Sequence, residues 1–392
     1  MSDLFNPTPE HLALRQTLRR FAETEVEAQA AAHDRDEAFN LPLFRKLGEL
    51  GVLGLTVPEA WGGSGMDAAA VAIVHEELSA VDPGFTLAYL AHALLFANNL
   101  AVNGSDAQRA KYLPDACSGA RVGGMCMSEP GAGTDVLGMR TTAVRRGDSY
   151  VLNGTKIWIT NGAVSDTELG DVFLVYARVE GAPRSKLSMF IVEKGYKGFS
   201  LGQKIKDKLG MRASSTAELV FEDCEVPVEN RVGEEGDATL HMMRNLEVER
   251  MGLAAMSLGI ARRCIEEMNR YASERKSFGQ PLRDFGQIQR HIAESYAEYM
   301  AGRAYTYWAA SQLELLRPGH RLDSDGVKLY CATMGKNVAD RAIQVLGGYG
   351  YVGEYRVERL WRDAKLLEIG GGTLEAHQKN MTRELRGTDK LP

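Results

Sequence analysis

Met127-Ser128-Glu129-Pro130-Gly131-Ala132-Gly133-Thr134-Asp135, read together with Trp158-Ile159-Thr160, decides the fold of this chain. The first stretch is rich in glycine, small residues and hydroxyls. A tight loop of that composition brings backbone N–H groups close to a polar ligand. The second stretch sets a flat ring beside a hydroxyl on a predicted strand, where both can meet a planar heterocycle. Either stretch alone is ordinary, since most glycine-rich loops are turns and most strand tryptophans are core. Their ordered combination is specific.

Outward from these stretches the periodicity of the apolar residues changes twice. Residues 1–121 read as helices. Leu12, Leu14, Leu18 and Phe21 recur near helical spacing, and Pro42 opens a helix that Gly51 closes. Trp61-Gly62-Gly63-Ser64-Gly65 is a loop, and helical spacing resumes over 67–80 and 84–103. Across 122–231 the pattern shifts to short apolar runs, among them Val172-Phe173-Leu174-Val175-Tyr176 and Met189-Phe190-Ile191-Val192. Asn153-Gly154 is a hairpin-turn signal. This middle part is predicted to be mostly antiparallel β. From 232 to 392 four long helices fit residues 236–273, 285–316, 323–348 and 353–385, with breaks inside the last. The expected class is α+β, an N-terminal helical domain, a middle antiparallel β domain and a C-terminal four-helix bundle.

The composition is that of a folded protein of two or three domains: 392 residues, 44% hydrophobic and 25% charged. A formal charge of −6 argues against a general nucleic-acid binder. The five cysteines are scattered and odd in number, which favours reduced, buried thiols over a disulfide framework. The histidines show no paired ligand spacing, so no metal site is expected. No run approaches the ~18 apolar residues that span a bilayer, so no membrane insertion is expected. The opening Met1-Ser2-Asp3-Leu4-Phe5-Asn6-Pro7 has neither the basic and apolar regions of a secretory signal nor an Arg-rich transit composition. A cytoplasmic location is the expectation.

The two stretches, continued by Phe278-Gly279-Gln280, Gln344-Val345-Leu346-Gly347-Gly348-Tyr349-Gly350 and Arg362-Asp363-Ala364-Lys365, resemble the acyl-CoA dehydrogenase family of flavoenzymes over nearly the whole chain. The resemblance implies FAD. It places Met125, Cys126, Met127, Ser128, Gly133 and Thr134 along the flavin rim and phosphates, Trp158 and Ile159 against the ring, and Thr160 near the hydride-accepting N5. It assigns Arg275 to the pyrophosphate of a neighbouring subunit's FAD, and Gln344, Gly347 and Gly348 to the adenosine part. Thr373, Leu374 and Glu375 are placed beside the cofactor. The family carries Phe-Gln at the start of the next helix, whereas this chain reads Phe285-Gly286-Gln287. Gln287 either substitutes from one position later or does not. There is no Rossmann fingerprint between a strand and a helix.

Family chemistry removes a proton from Cα of an acyl thioester and a hydride from Cβ, which calls for a positioned carboxylate and donors to the thioester oxygen. Most members carry the base as Glu directly before Gly-Thr near the C-terminus. Here the segment reads Ile369-Gly370-Gly371-Gly372-Thr373, and Gly371 has no side chain to offer. Either catalysis is lost or another carboxylate reaches the same carbon. Leu246-Glu247-Val248-Glu249-Arg250 matches the branch that oxidises isovaleryl-CoA, where an earlier helix supplies the base, and Glu249 is the matching residue. The same resemblance puts the backbone N–H of Gly371 on the thioester carbonyl. It puts Thr134, Ser185, Lys186, Leu240, Glu247, Val248, Arg250 and Gly372 along the substrate. Leu240 stands where that branch has Tyr.

The expected reaction is therefore dehydrogenation of a short or branched acyl-CoA, with electron-transfer flavoprotein as acceptor and a homotetramer as the assembly. Leu94, Leu95 and Phe96 are candidates for shortening the acyl pocket. The alternatives are another acyl length, an oxidase or lyase on the same fold, and a non-catalytic flavin- or acyl-CoA-binding protein.

Overall fold

The computed structural model describes residues 3–315, 319 and 321–386. Its first part is helical: α1 Pro9–Phe21, α2 Glu27–Asp36, α3 Leu41–Glu49, α4 Ala68–Ser79, α5 Pro83–Leu90, α6 Asn99–Asn103 and α7 Asp106–Ser118. The starts follow the capping rules. Asn40 accepts the Leu43 N–H and Asp67 the Ala70 N–H, each at 3.0 Å, and Ser105 with Gln108 forms a capping box. Leu18 and Phe21 of α1 are buried, but Leu12 is exposed, so the buried stripe is narrower than the spacing implied.

A π-helical stretch, Ala91–Asn98, joins α5 to α6. The resulting rod Pro83–Asn103 has a mean hydropathy of 1.4 and passes the length and composition test for a membrane span, contrary to the sequence expectation. Its most apolar window is 83% buried inside the fold. It is the central helix of the core, apolar on nearly every side because it is surrounded.

The middle part is one eight-stranded sheet: β1 Gly123–Cys126, β2 Thr142–Arg146, β3 Ser149–Thr160, β4 Val172–Val179, β5 Ser188–Glu193, β6 Phe199–Lys204, β7 Thr216–Pro227 and β8 Arg231–Val232. The order is β6-β7-β3-β2-β4-β5-β8, with β1 parallel to β4. All other pairings are antiparallel except β2 with β4. Asn153-Gly154 makes no hairpin. β3 runs straight through it with a bulge against β7. The Asn153 amide closes on Asp223 instead, accepting from its N–H at 2.8 Å and donating to its carboxylate at 3.1 Å. Gly154 is required because a Cβ there would stand 2.5 Å from the Thr141 hydroxyl.

The last part begins with α8, Ala238–Glu274, 37 residues and about 55 Å long. A small ribbon follows, β9 Lys276–Ser277 with β10 Gln280–Pro281. Then come α9 Gly286–Gln312, α10 Arg321–Leu346, α11 Val357–Leu367 and α12 Leu374–Leu385. The anticipated break in the last helix is the glycine turn between α11 and α12. The expected end of the second long helix at 316 lies outside the described residues. The apolar cores of the N-terminal and C-terminal helices merge into a single cluster, and all five cysteines are free and buried.

Candidate active site

The loop after β1 and the end of β3 are tied together by backbone and by charge. The Ile157 N–H donates to the Ser128 carbonyl at 3.0 Å. Lys156, fully buried, donates to the Glu129 carboxylate at 2.9 Å and the Met127 carbonyl at 3.1 Å. Glu129 also accepts from the N–H groups of Arg140 (2.6 Å) and Thr141 (2.9 Å). Burial would raise the Glu129 carboxyl, but Lys156 and these donors leave it lowered. A paired, fully bonded carboxylate of this kind fixes a loop rather than doing chemistry.

Above this brace β3 bulges a second time, between Lys156 and Ile159. Trp158 is held there at φ 64°, a left-handed conformation that costs a bulky residue on the order of 1–2 kcal/mol. Its ring is 61% exposed. Thr160, two positions on, is half-buried. Cys126 and Ile159 send their side chains into the sheet core, so only their backbones face outward. Met125, Met127 and Ser128 are half-buried, and Gly133 and Thr134 are exposed. The space that a Cβ on Gly131 or Gly133 would fill is open. A strained backbone presenting a bare indole next to an open glycine loop fits a planar ring carrying polar edges.

The second half of the site is built by α8 and the glycine turn. Glu249 is buried, at 7% exposure, and its Oε2 has no hydrogen-bond partner among the described residues. Burial raises its carboxyl to about 7, against the lowering effect of Arg250 and Lys328. Gly371 lies against it at φ 66°. A Cβ at 371 would sit 3.4 Å from Glu249 Oε1 and would overlap the Leu253 side chain one helical turn further on. The two halves meet through Tyr176 of β4, whose hydroxyl accepts from Asn99 at 3.2 Å and feels the Glu249 charge. Tyr176 is one position beyond Val175, the β4 partner of Cys126.

The remaining candidates separate into three groups. Gly372, Thr373 and Leu374 lie with Gly371 at the turn, where Thr373 caps α12, and Glu375 is exposed beside them. Ser185 and Lys186 are sewn to the start of α8: the Thr239 hydroxyl donates to the Ser185 carbonyl at 2.8 Å, and Leu240 is exposed on that first turn. Glu247 is buried, Val248 belongs to the core, and Arg250 is turned inward onto Asp325 at 3.2 Å rather than toward an open ligand channel. Arg275, Gln287, Gln344, Gly347 and Gly348 are all exposed at the far ends of α8, α9 and α10. Arg275 lies 26 positions along α8 from Glu249, about 39 Å. One chain therefore does not bring these residues to its own Glu249.

The chain matches known proteins over most of its length. Models of the acyl-CoA dehydrogenase N-terminal, middle and C-terminal domains match residues 8–120, 124–224 and 239–385. The chain is 41% identical over 385 residues to the mitochondrial isovaleryl-CoA dehydrogenase of Oryza sativa subsp. japonica, covering 97% of this chain and 92% of that one. It is also 41% identical over 375 residues to the short-chain specific acyl-CoA dehydrogenase of Clostridium acetobutylicum, covering 95% and 97%. Among solved structures, butyryl-CoA dehydrogenase from Megasphaera elsdenii superposes with a TM-score of 0.91 at 33% identity, covering 97% of this chain and 98% of that one. The chain belongs to the acyl-CoA dehydrogenase family. It is an FAD-dependent oxidoreductase acting on acyl-CoA.

Four residues near Glu249 carried no sequence signal: Tyr176, Leu253, Lys328 and His377. Leu253 lies one turn along α8 from Glu249, whereas Tyr176 of β4, Lys328 of α10 and His377 of α12 are brought there only by the packing of elements distant in sequence.

Proposed function

We propose that the chain dehydrogenates a short or branched acyl-CoA, of the isovaleryl-CoA kind, to the 2-enoyl-CoA. Glu249 takes the Cα proton and the backbone N–H of Gly371 donates to the thioester oxygen. The observation that carries this is the pairing of a buried carboxylate, one oxygen without a partner among the described residues and its pKa raised to about 7, with a glycine backbone directly against it. A carboxylate withdrawn from solvent by burial is a stronger base than one in water. When bound, FAD supplies the acceptor for the Cβ hydride. Loop 125–134, Trp158 and Thr160 hold its ring side, and Arg275, Gln287, Gln344, Gly347 and Gly348 serve the FAD of a neighbouring subunit. The distance along α8 supports that division. It also supports a homotetramer, as do the aromatic residues Tyr296, Trp308 and Tyr330 exposed on α9 and α10.

A compact acyl group is supported by the wall beside Glu249. Leu94 and Leu90 close on Gly252, one turn past the base, within 3.0 and 3.2 Å of where its Cβ would lie. Phe96 is not part of that wall, because it packs over Gly123 of β1. The names of the relatives, one isovaleryl and one short-chain, point the same way. The expected physiological acceptor is electron-transfer flavoprotein. Anaerobic titration with short, branched and longer acyl-CoAs, followed at the flavin absorbance, tests the reading. Full bleaching by isovaleryl- or butyryl-CoA with little by octanoyl-CoA is expected, and the reverse order would refute it. Steady turnover with oxygen alone would make the protein an oxidase.

A further inference from the structure

Behind the carboxylate and the glycine turn lies a buried polar chain that the reaction itself does not consume. Asp325, on the first turns of α10, is fully buried. Its Oδ1 forms an ion pair with Arg250 Nη1 at 3.2 Å and faces His377 Nδ1 at 2.5 Å. The other ring nitrogen of His377 faces the Gly372 carbonyl at 3.0 Å. Lys328, one turn further along α10, donates to the Leu367 carbonyl and reaches the same Gly372 carbonyl at 3.4 Å. Arg250 is the residue after Glu249, and Gly372 is the residue after Gly371. The chain therefore joins the neighbour of the base to the neighbour of the thioester donor through a third element.

The local backbone is shaped around this contact. Gly372 stands at φ 101°, and a Cβ there would be 3.0 Å from the His377 ring, so a side chain would push the imidazole off the carbonyl. The turn holds few other bonds: Gly370 N–H to the Leu366 carbonyl at 2.7 Å, and Leu374 N–H to the Glu368 carbonyl at 3.3 Å. Gly371, with two glycine neighbours, has no side chain of its own to fix its N–H direction. A donor that flexes loses most of its worth in the transition state.

We propose that His377 and Asp325 are positioning residues: together they hold the Gly371 N–H and the Glu249 carboxylate at a fixed separation across the substrate's Cα and thioester carbonyl. This rests on the assignment of Glu249 as the base. Arg250 orients one end of the link and Lys328 reinforces the other. None of the four touches substrate through this link.

The test uses FAD-loaded enzyme and a 3-thia-acyl-CoA, whose acidified α-proton is lost on binding to give an enolate with a long-wavelength absorbance against oxidised flavin. His377→Ala is expected to lower kcat by about 10- to 100-fold with KM changed by less than about threefold, and to weaken the enolate band. His377→Gln, whose amide can still donate to the Gly372 carbonyl, is expected to recover most of both. A His377→Ala enzyme with kcat within about threefold of wild type and a full band would overturn the proposal. If that variant does not retain FAD, Asp325→Asn decides by the same two readouts and the same thresholds. Glu249→Gln, run alongside, separates the two ideas. Persistence of the band in Glu249→Gln would reject the base assignment, whereas its loss there with a normal band in His377→Ala would reject only the positioning role.

Discussion

Glu249 and Gly371 are in direct van der Waals reach: a Cβ on residue 371 would stand 3.4 Å from Glu249 Oε1. A base on the C-terminal turn and a base on α8 are therefore two solutions for the same volume. The glycine also overlaps Leu253 if given any side chain, and its φ of 66° favours glycine. Gly371→Ala is expected to cost about 1–3 kcal/mol of stability and to lose activity. Moving the base back, as Glu249→Gly with Gly371→Glu, is expected to leave the enzyme inactive until Leu253→Ala makes room. Activity in the double variant without that third change would contradict the packing described.

The pH dependence follows from the sign of the Glu249 shift. Its carboxyl is raised to about 7 by burial, and only the ionised form can take a proton. For the free enzyme kcat/KM is expected to fall about tenfold per pH unit below about 7 and to level off above it. Lys328 lowers the Glu249 pKa, so Lys328→Met is expected to move the acid limb to higher pH. A limb near pH 4.5, or one unmoved by the Lys328 change, would count against this electrostatic picture.

Trp158 stores backbone strain on the surface. Trp158→Gly relieves the left-handed conformation and removes a ring that is mostly exposed, so the apoprotein is expected to gain about 1 kcal/mol or lose nothing. The same variant is expected to release FAD more readily. Thermal melts of the apoprotein together with FAD retention on gel filtration check both halves. Weaker apoprotein with unchanged FAD binding would make Trp158 a structural residue only.

The Lys156–Glu129 pair braces the glycine loop. Removing one partner leaves a buried charge uncompensated, at a cost of about 3–5 kcal/mol. Lys156→Met is therefore expected to melt well below wild type, whereas Lys156→Met with Glu129→Gln recovers part of the loss. Urea unfolding of the single and double variants measures the difference, and equal stabilities would show the pair to be dispensable.

Much of this site was legible in the sequence because it is local in the chain. The glycine loop, the Trp-Ile-Thr strand and the paired absence of Glu at 371 with presence of Glu at 249 are each a few residues long. The four long helices were legible from their 3.6-residue spacing. Asn153-Gly154 reads as a turn because a glycine serves a hairpin as readily as a bulge; the bulge is fixed by Thr141, just ahead of the neighbouring strand, and by Asp223, 70 positions beyond Asn153. The inward direction of Arg250 was likewise set by Asp325, 75 positions later. Buried polar partners of this kind leave no periodic trace.

The most direct measurement is the reductive half-reaction of Glu249→Gln. The substitution keeps the volume and removes the proton acceptor. The FAD-loaded variant, mixed anaerobically with isovaleryl-CoA, is expected to bind the thioester and leave the flavin oxidised on a timescale in which wild type bleaches completely. Bleaching of the variant at the wild-type rate would contradict the assignment of residue 249 as the base.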